Sequence, residues 1–139
     1  MSGVEMKENC KLVAKNSREG KILYSTKPIN FYLVDPVTSE IIEENHPLRG
    51  EKVKDRAIVI PSGKGSSVVQ LDGLYQLLVN GNNPAVIVIR KPDPVIVSAA
   101  FICDVPIASG MSDKFFNEMR NGGTVRVDHR ENTIEYISD

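Results

Sequence analysis

The sequence predicts an α/β domain in layers, a small mixed barrel-like sheet with covering helices on one side, and three observations carry that expectation. The first third alternates loosely and is broken by turn signals, with no helical period. Two short runs, VKDRAIVI at 53–60 and AVIVI at 85–89, are dominated by β-branched residues in their apolar cores, which is how strands buried on both faces of a sheet look. Between them lies one amphipathic segment. A strand, loop, helix, strand unit of this kind calls for a parallel pair joined by a right-handed crossover.

Taken in order, residues 10–24 read as a strand, a turn at Gly20 and a second short strand. Residues 27–35 read as a loop feeding another strand, after which Asp35-Pro36 with Thr38 and Ser39 supplies turn chemistry before Ile41 and Ile42. His46-Pro47 and Gly50 interrupt the chain again. The strand at 53–60 is expected to stop at Pro61. Val68, Leu71, Leu74, Tyr75 and Leu78 recur at helical spacing up to the stop signal Asn80-Gly81. Periodicity leaves residues 95–102 open between helix and strand; Asp93 as a cap and Pro94 in the first turn favour the helix. Residues 106–108 then form a third short buried strand, 113–120 a short helix, and 124–127 with 133–137 a hairpin across DHREN.

The 139 residues, 25% of them charged, fit one domain spanning 1–139 with a core of its own. A net charge of -1 with 17 scattered Lys and Arg offers no footprint for nucleic acid. No apolar run approaches the roughly 20 residues that cross a bilayer, and MSGVEMKENC lacks the apolar core of a signal peptide, so no membrane partner and a cytoplasmic location are expected. Cys10 and Cys103 are the only thiols. Neither a disulfide framework nor a four-thiolate metal site can be built from them, and Cys103, inside FICDV, reads as a buried inert thiol.

The loop Ser62-Gly63-Lys64-Gly65-Ser66-Ser67 lies between the carboxyl end of a buried strand and the start of a helix, where free backbone donors favour an anion. Its glycines allow close backbone approach, Lys64 adds charge, and the hydroxyls can donate, accept or, if deprotonated, act as a base. It is not a nucleotide signature. Ile58 and Gly65 stand where the Walker pattern requires glycine and Ser or Thr, and Val68 stands where a dinucleotide fingerprint requires its third glycine. The plain structural reading of the same loop is a helix cap at Ser66 or Ser67 with glycines for a tight turn.

Weaker candidates surround it. His46 suits metal binding or proton transfer, but a lone loop histidine more often serves hydrogen bonding. His129, in DHREN, is expected to face solvent. Asp35 and Asp93 precede prolines and are explained by turn and cap chemistry. Arg90 and Lys91 share the carboxyl edge of the sheet with the glycine loop, which fits contact with a substrate anion and equally fits exposed charges without a role.

Asp35-Pro36, His46-Pro47-Leu48 with Gly50, Pro61-Ser62-Gly63-Lys64-Gly65-Ser66-Ser67 and Pro92-Asp93-Pro94 occur in an order and spacing that resembles the small-subunit family of aconitase X enzymes, over about residues 20–127. The resemblance implies the swivelling β/β/α domain that is the mobile part of aconitases. It implies a separate large catalytic subunit carrying an iron–sulfur (4Fe–4S) cluster, with no cofactor or metal on this chain, in line with its shortage of thiols. Archaeal pairs of this family dehydrate (R)-5-phosphomevalonate to trans-anhydromevalonate 5-phosphate, and bacterial relatives dehydrate cis-3-hydroxyproline. The implied division of labour puts a Lewis-acidic iron at the departing hydroxyl and a serine base at the carbon beside the carboxylate. The family reading puts that serine at Ser62, which is the leading expectation, whereas matching the aconitase loop by its glycine–serine pattern selects Ser66 as the alternative. Gly63, Lys64, Gly65, Ser66 and Ser67 would hold the substrate phosphate or carboxylate. The rival reading is a non-catalytic domain that binds a phosphorylated metabolite through the same loop.

Overall fold

The structure, a computed structural model, describes residues 3–14 and 16–139. Eight strands form one sheet: β1 (Gly3–Asn9), β2 (Lys11–Val13), β3 (Arg18–Tyr24), β4 (Arg56–Ser62), β5 (Val86–Lys91), β6 (Ile107–Ser109), β7 (Thr124–Asp128) and β8 (Thr133–Ser138). Three helices accompany them, α1 (Ser67–Val79), α2 (Pro94–Ile102) and α3 (Asp113–Met119).

The sheet order is β1-β8-β7-β3-β4-β5-β6-β2, with β3, β4, β5 and β6 parallel and the remaining neighbours antiparallel. The two edge strands, β1 and β2, are one stretch of chain separated only by Cys10, whose N–H donates to Asn132 O at 2.9 Å. Edges that are joined covalently must face each other, so the sheet curls into a barrel. This is the barrel-like mixed sheet that the sequence calls for.

Alternation along the strands divides the core in two. Ile58, Ile60, Ile87, Ile89 and Ile107 point outward and pack with Leu74 and Leu77 of α1 and with Ile96, Ala99 and Ala100 of α2. Ala57, Val59, Val86, Val88 and Ala108 point inward, with Val125, Val127, Ile134 and Tyr136. The expectation of helices on one side holds for α1 and α2 only. The third helix packs on the other face, because the small inward side chains leave a volume that Phe115, Phe116 and Met119 fill.

Other boundaries differ for physical reasons. Asp55 has φ +58°, so residues 53–55 turn and β4 starts at Arg56. Nor does Pro61 end it: β3 pairs with β4 only as far as Val59, so the missing N–H of Pro61 costs no ladder bond on that side, and Ser62 still pairs with Lys91. Instead of a strand, residues 27–35 hold a short 3-10 helix, Phe31–Leu33, started by Asn30, whose Oδ1 accepts from Tyr32 N at 3.1 Å. It lies so close to α1 that a Cβ at Gly73 would sit 2.7 Å from the Phe31 carbonyl oxygen. The helix assigned to 95–102 is present, with Asp93 Oδ1 accepting from Val95 N at 2.9 Å and Ile96 N at 3.1 Å. The strand β1 escapes the sequence reading: of GVEMKEN, only Met6 and Glu8 are even half-buried, so little apolar alternation marks it, and its ladder to β8 holds it.

Candidate active site

Two helices start at the glycine loop. Ser66 caps α1, with Oγ accepting from Val69 N at 3.4 Å, and Asp93 caps α2 beside Gly63, where a Cβ would meet Asp93 Oδ2 at 2.7 Å. Glycine at 63 leaves room for the Asp93 cap, and φ +103° favours glycine at 65. The free N–H groups and positive ends of both helices border the loop, a natural seat for an anion.

Within the loop the two candidate serines differ. Ser62 ends β4 half-buried, and its Oγ has no hydrogen-bond partner among the described residues. Ser66 is exposed, and its oxygen already accepts from the helix N-terminus. Ser67 occupies the first helical position and lines an apolar groove of about 310 Å³ between α1 and α2.

The positive charge of the loop is tethered. Lys64 Nζ donates to Glu43 Oε2 at 2.6 Å, and Glu43 Oε1 accepts from Asn30 N at 3.2 Å. Burial acts to raise the pKa of Glu43, but the hydrogen bonds from Lys64 and Asn30, with the charge of Lys64, outweigh it and leave the carboxyl below its ordinary value. Lys64 stays half exposed, so its ammonium remains available to a ligand.

His46 belongs to the scaffold. Its Nδ1 accepts from Leu48 N at 3.0 Å, which places the ring proton on Nε2, and that nitrogen donates to Pro28 O at 3.0 Å. Both nitrogens are spent on backbone and the ring is buried. His129 is partly rather than fully exposed, and its backbone N–H donates to Ser17 Oγ at 3.2 Å, holding the turn against the chain. Asp35 Oδ1 accepts from Val37 N at 2.9 Å, the expected turn bond.

Arg90 leaves the carboxyl end of β5 on the face opposite Ser62, its guanidinium 4.3 Å from the Phe116 ring centroid and paired with Asp113, while Lys91 is exposed in register with Ser62. Glu43, Asn30 and Arg120 are site neighbours that local pattern does not single out. Arg120 Nε donates to the Tyr24 hydroxyl at 3.2 Å.

The donors present do not fit an iron–sulfur cluster. Among the described residues no three His, Cys, Asp or Glu side chains gather as a metal site. Cys103 is buried in the helix-side core and Cys10 packs against the barrel core, and burial raises both thiols, that of Cys10 to about 11. Among the described residues no helix is long and apolar enough to cross a membrane.

The chain is similar to proteins that share both its length and its fold. The phosphomevalonate dehydratase small subunit of Methanosarcina acetivorans is 33% identical over 135 residues, 96% of this chain and 93% of that protein. The protein of the same name from Pyrococcus abyssi is 33% identical over 133 residues, 95% and 99% of the two chains. Aconitase X of Thermococcus kodakaraensis, in its holo-form crystal structure, superposes with a TM-score of 0.83 at 27% identity, covering 94% of this chain and 98% of that one. The family model for the aconitase X swivel domain matches residues 7–136, and the chain belongs to that family.

Proposed function

We propose that this chain is the small subunit of a dehydratase that converts (R)-5-phosphomevalonate to trans-anhydromevalonate 5-phosphate, and that it supplies the base. The names of its relatives support the substrate and the subunit role. The observation that carries the chemistry is the serine-bearing loop at two helix N-termini, with Lys64 held beside it by buried Glu43. A large subunit is to hold the iron–sulfur cluster and contribute its Lewis acidity to the departing hydroxyl.

Serine is a poor base at its free pKa, so an alkoxide needs donors and positive potential around it. Ser66 has both, in the Val69 N–H and the α1 dipole, and it is exposed to a substrate arriving with the partner. We therefore place the base at Ser66 ahead of Ser62, the serine that the resemblance puts first, because Ser62 Oγ has no hydrogen-bond donor among the described residues. In this reading Gly63, Gly65 and Ser67 offer backbone donors to the substrate's anionic end, and Lys64 offers charge.

The test adds wild-type, Ser66→Ala and Ser62→Ala chains separately to the large subunit under anaerobic conditions and follows dehydration. Removing the base should lower turnover by about 10²- to 10⁴-fold. Loss in Ser62→Ala with near-normal Ser66→Ala moves the base to Ser62; near-normal turnover in both ends the proposal. Activity on cis-3-hydroxyproline in place of phosphomevalonate would select the other substrate, and phosphate binding without dehydration would select the non-catalytic domain.

A further inference from the structure

A second cationic feature lies at the same end of the barrel, on the face opposite Ser62. The carboxyl ends of β3, β4 and β5 and the helix α3 enclose a pocket of about 130 Å³, whose wall includes Tyr24, Ser25, Thr26, Pro61, Arg90 and Arg120. Its residues include two guanidiniums and no carboxylate. We propose that this pocket is an oxyanion site that takes the phosphate group of the substrate, an inference that rests on the dehydratase reading given above.

Both arginines are set in advance. Arg90 is flattened on the Phe116 ring and Arg120 is fixed to the Tyr24 hydroxyl, with its guanidinium 5.5 Å from the Tyr24 ring centroid. A guanidinium has five N–H donors. Arg90 uses NH1 on Asp113 and Arg120 uses Nε on Tyr24, so among the described residues most donors of the pair have no protein partner and can meet a ligand. The Asp113 carboxylate is 88% exposed, so its hold on Arg90 is a weak surface ion pair that an incoming dianion can outcompete.

Size and place agree with the charge. The volume, about 130 Å³, is enough for one tetrahedral oxyanion. Two planar forks suit a phosphate dianion better than a single carboxylate, because each can bind it through two parallel bonds. The pocket opens beyond the carboxyl ends of the parallel strands β3, β4 and β5, the end at which α/β sheets commonly take their ligands. Pro61, in its wall, directly precedes Ser62 and the glycine loop. A substrate anchored here by its phosphate would reach over the tip of β4 toward the loop serines, leaving Lys64 for its carboxylate.

The test uses the full chain, labelled with nitrogen-15, and follows the Arg Nε–H signals during titration with inorganic phosphate, acetate and sodium chloride at matched ionic strength. Arg90 and Arg120 should shift saturably with phosphate and more weakly with acetate, and Arg120→Gln, on an exposed side chain, should weaken phosphate binding about tenfold or more. In the reconstituted pair the same variant should raise KM for phosphomevalonate by a similar factor and change kcat less. No saturable shift up to about 50 mM phosphate overturns the proposal. So does an equal response to chloride or acetate, or an Arg120→Gln chain that binds like wild type. A pair that dehydrates phosphomevalonate with an unchanged KM in Arg120→Gln sinks the pocket alone; phosphate binding without any dehydration sinks the catalytic reading and leaves the pocket standing.

Discussion

Replacing Glu43 by Gln keeps shape and removes charge, and the structure sets the size and the pH signature of the effect. The carboxylate is buried and accepts from Lys64 Nζ at 2.6 Å and Asn30 N at 3.2 Å. A charge-assisted hydrogen bond contributes about 1.5–3 kcal/mol, and an exposed pair about 0–1. With Lys64 half exposed, the loss should fall between them, about 1–1.5 kcal/mol, or about 3–5 °C in Tm for a chain of this length. Because the folded-state pKa of Glu43 is lowered from 4.5, its contribution is fully present above that value. It is lost as pH falls through the folded pKa. Urea unfolding of wild type and Glu43→Gln should therefore give a constant gap from pH 8 to about 5.5 that narrows below about 4.5. A gap that stays the same down to the acid limit, or no gap at neutral pH, would refute the role assigned to this pair.

Gly73→Ala should destabilise by about 2–4 kcal/mol in the same assay, since its Cβ would meet the Phe31 backbone, which cannot yield as a side chain can. Asp93→Ala should cost about 1–2 kcal/mol through the lost α2 cap, and urea midpoints would measure it. Cys10, its pKa raised to about 11 by burial, should react with iodoacetamide in the native chain at a rate that climbs only above about pH 10, followed by mass spectrometry. The melting temperature of the isolated chain should move by less than about 1 °C on adding a chelator, since the described residues gather no metal site.

Local signals were enough for the parallel centre of the fold. The β-branched runs ending at Ile60 and Ile89 and the caps at Ser66 and Asp93 act within a few residues, and both strands and helices form there with bounds shifted by one to three residues. What local pattern misses is made by partners distant in sequence. The strand β1 owes its form to β8, more than a hundred residues away, and the 3-10 turn at Phe31 exists because α1 packs on it through Gly73. The site divides the same way. Glycines, serines and Lys64 mark the loop in one short stretch, whereas Glu43 reaches Lys64 across 21 residues and Arg120 reaches Tyr24 across 96. No spacing rule connects such pairs before the chain is folded.

Proton removal can be watched apart from water loss by following exchange of the hydrogen on the carbon beside the carboxylate of phosphomevalonate, in heavy water, with the reconstituted two-chain enzyme. The wild-type pair should exchange it, and Ser66→Ala, with complex formation intact, should lose exchange and dehydration together by about 10²-fold or more. Exchange at the wild-type rate in both the Ser66→Ala and the Ser62→Ala pairs would contradict the assignment, because the base would then lie outside this chain.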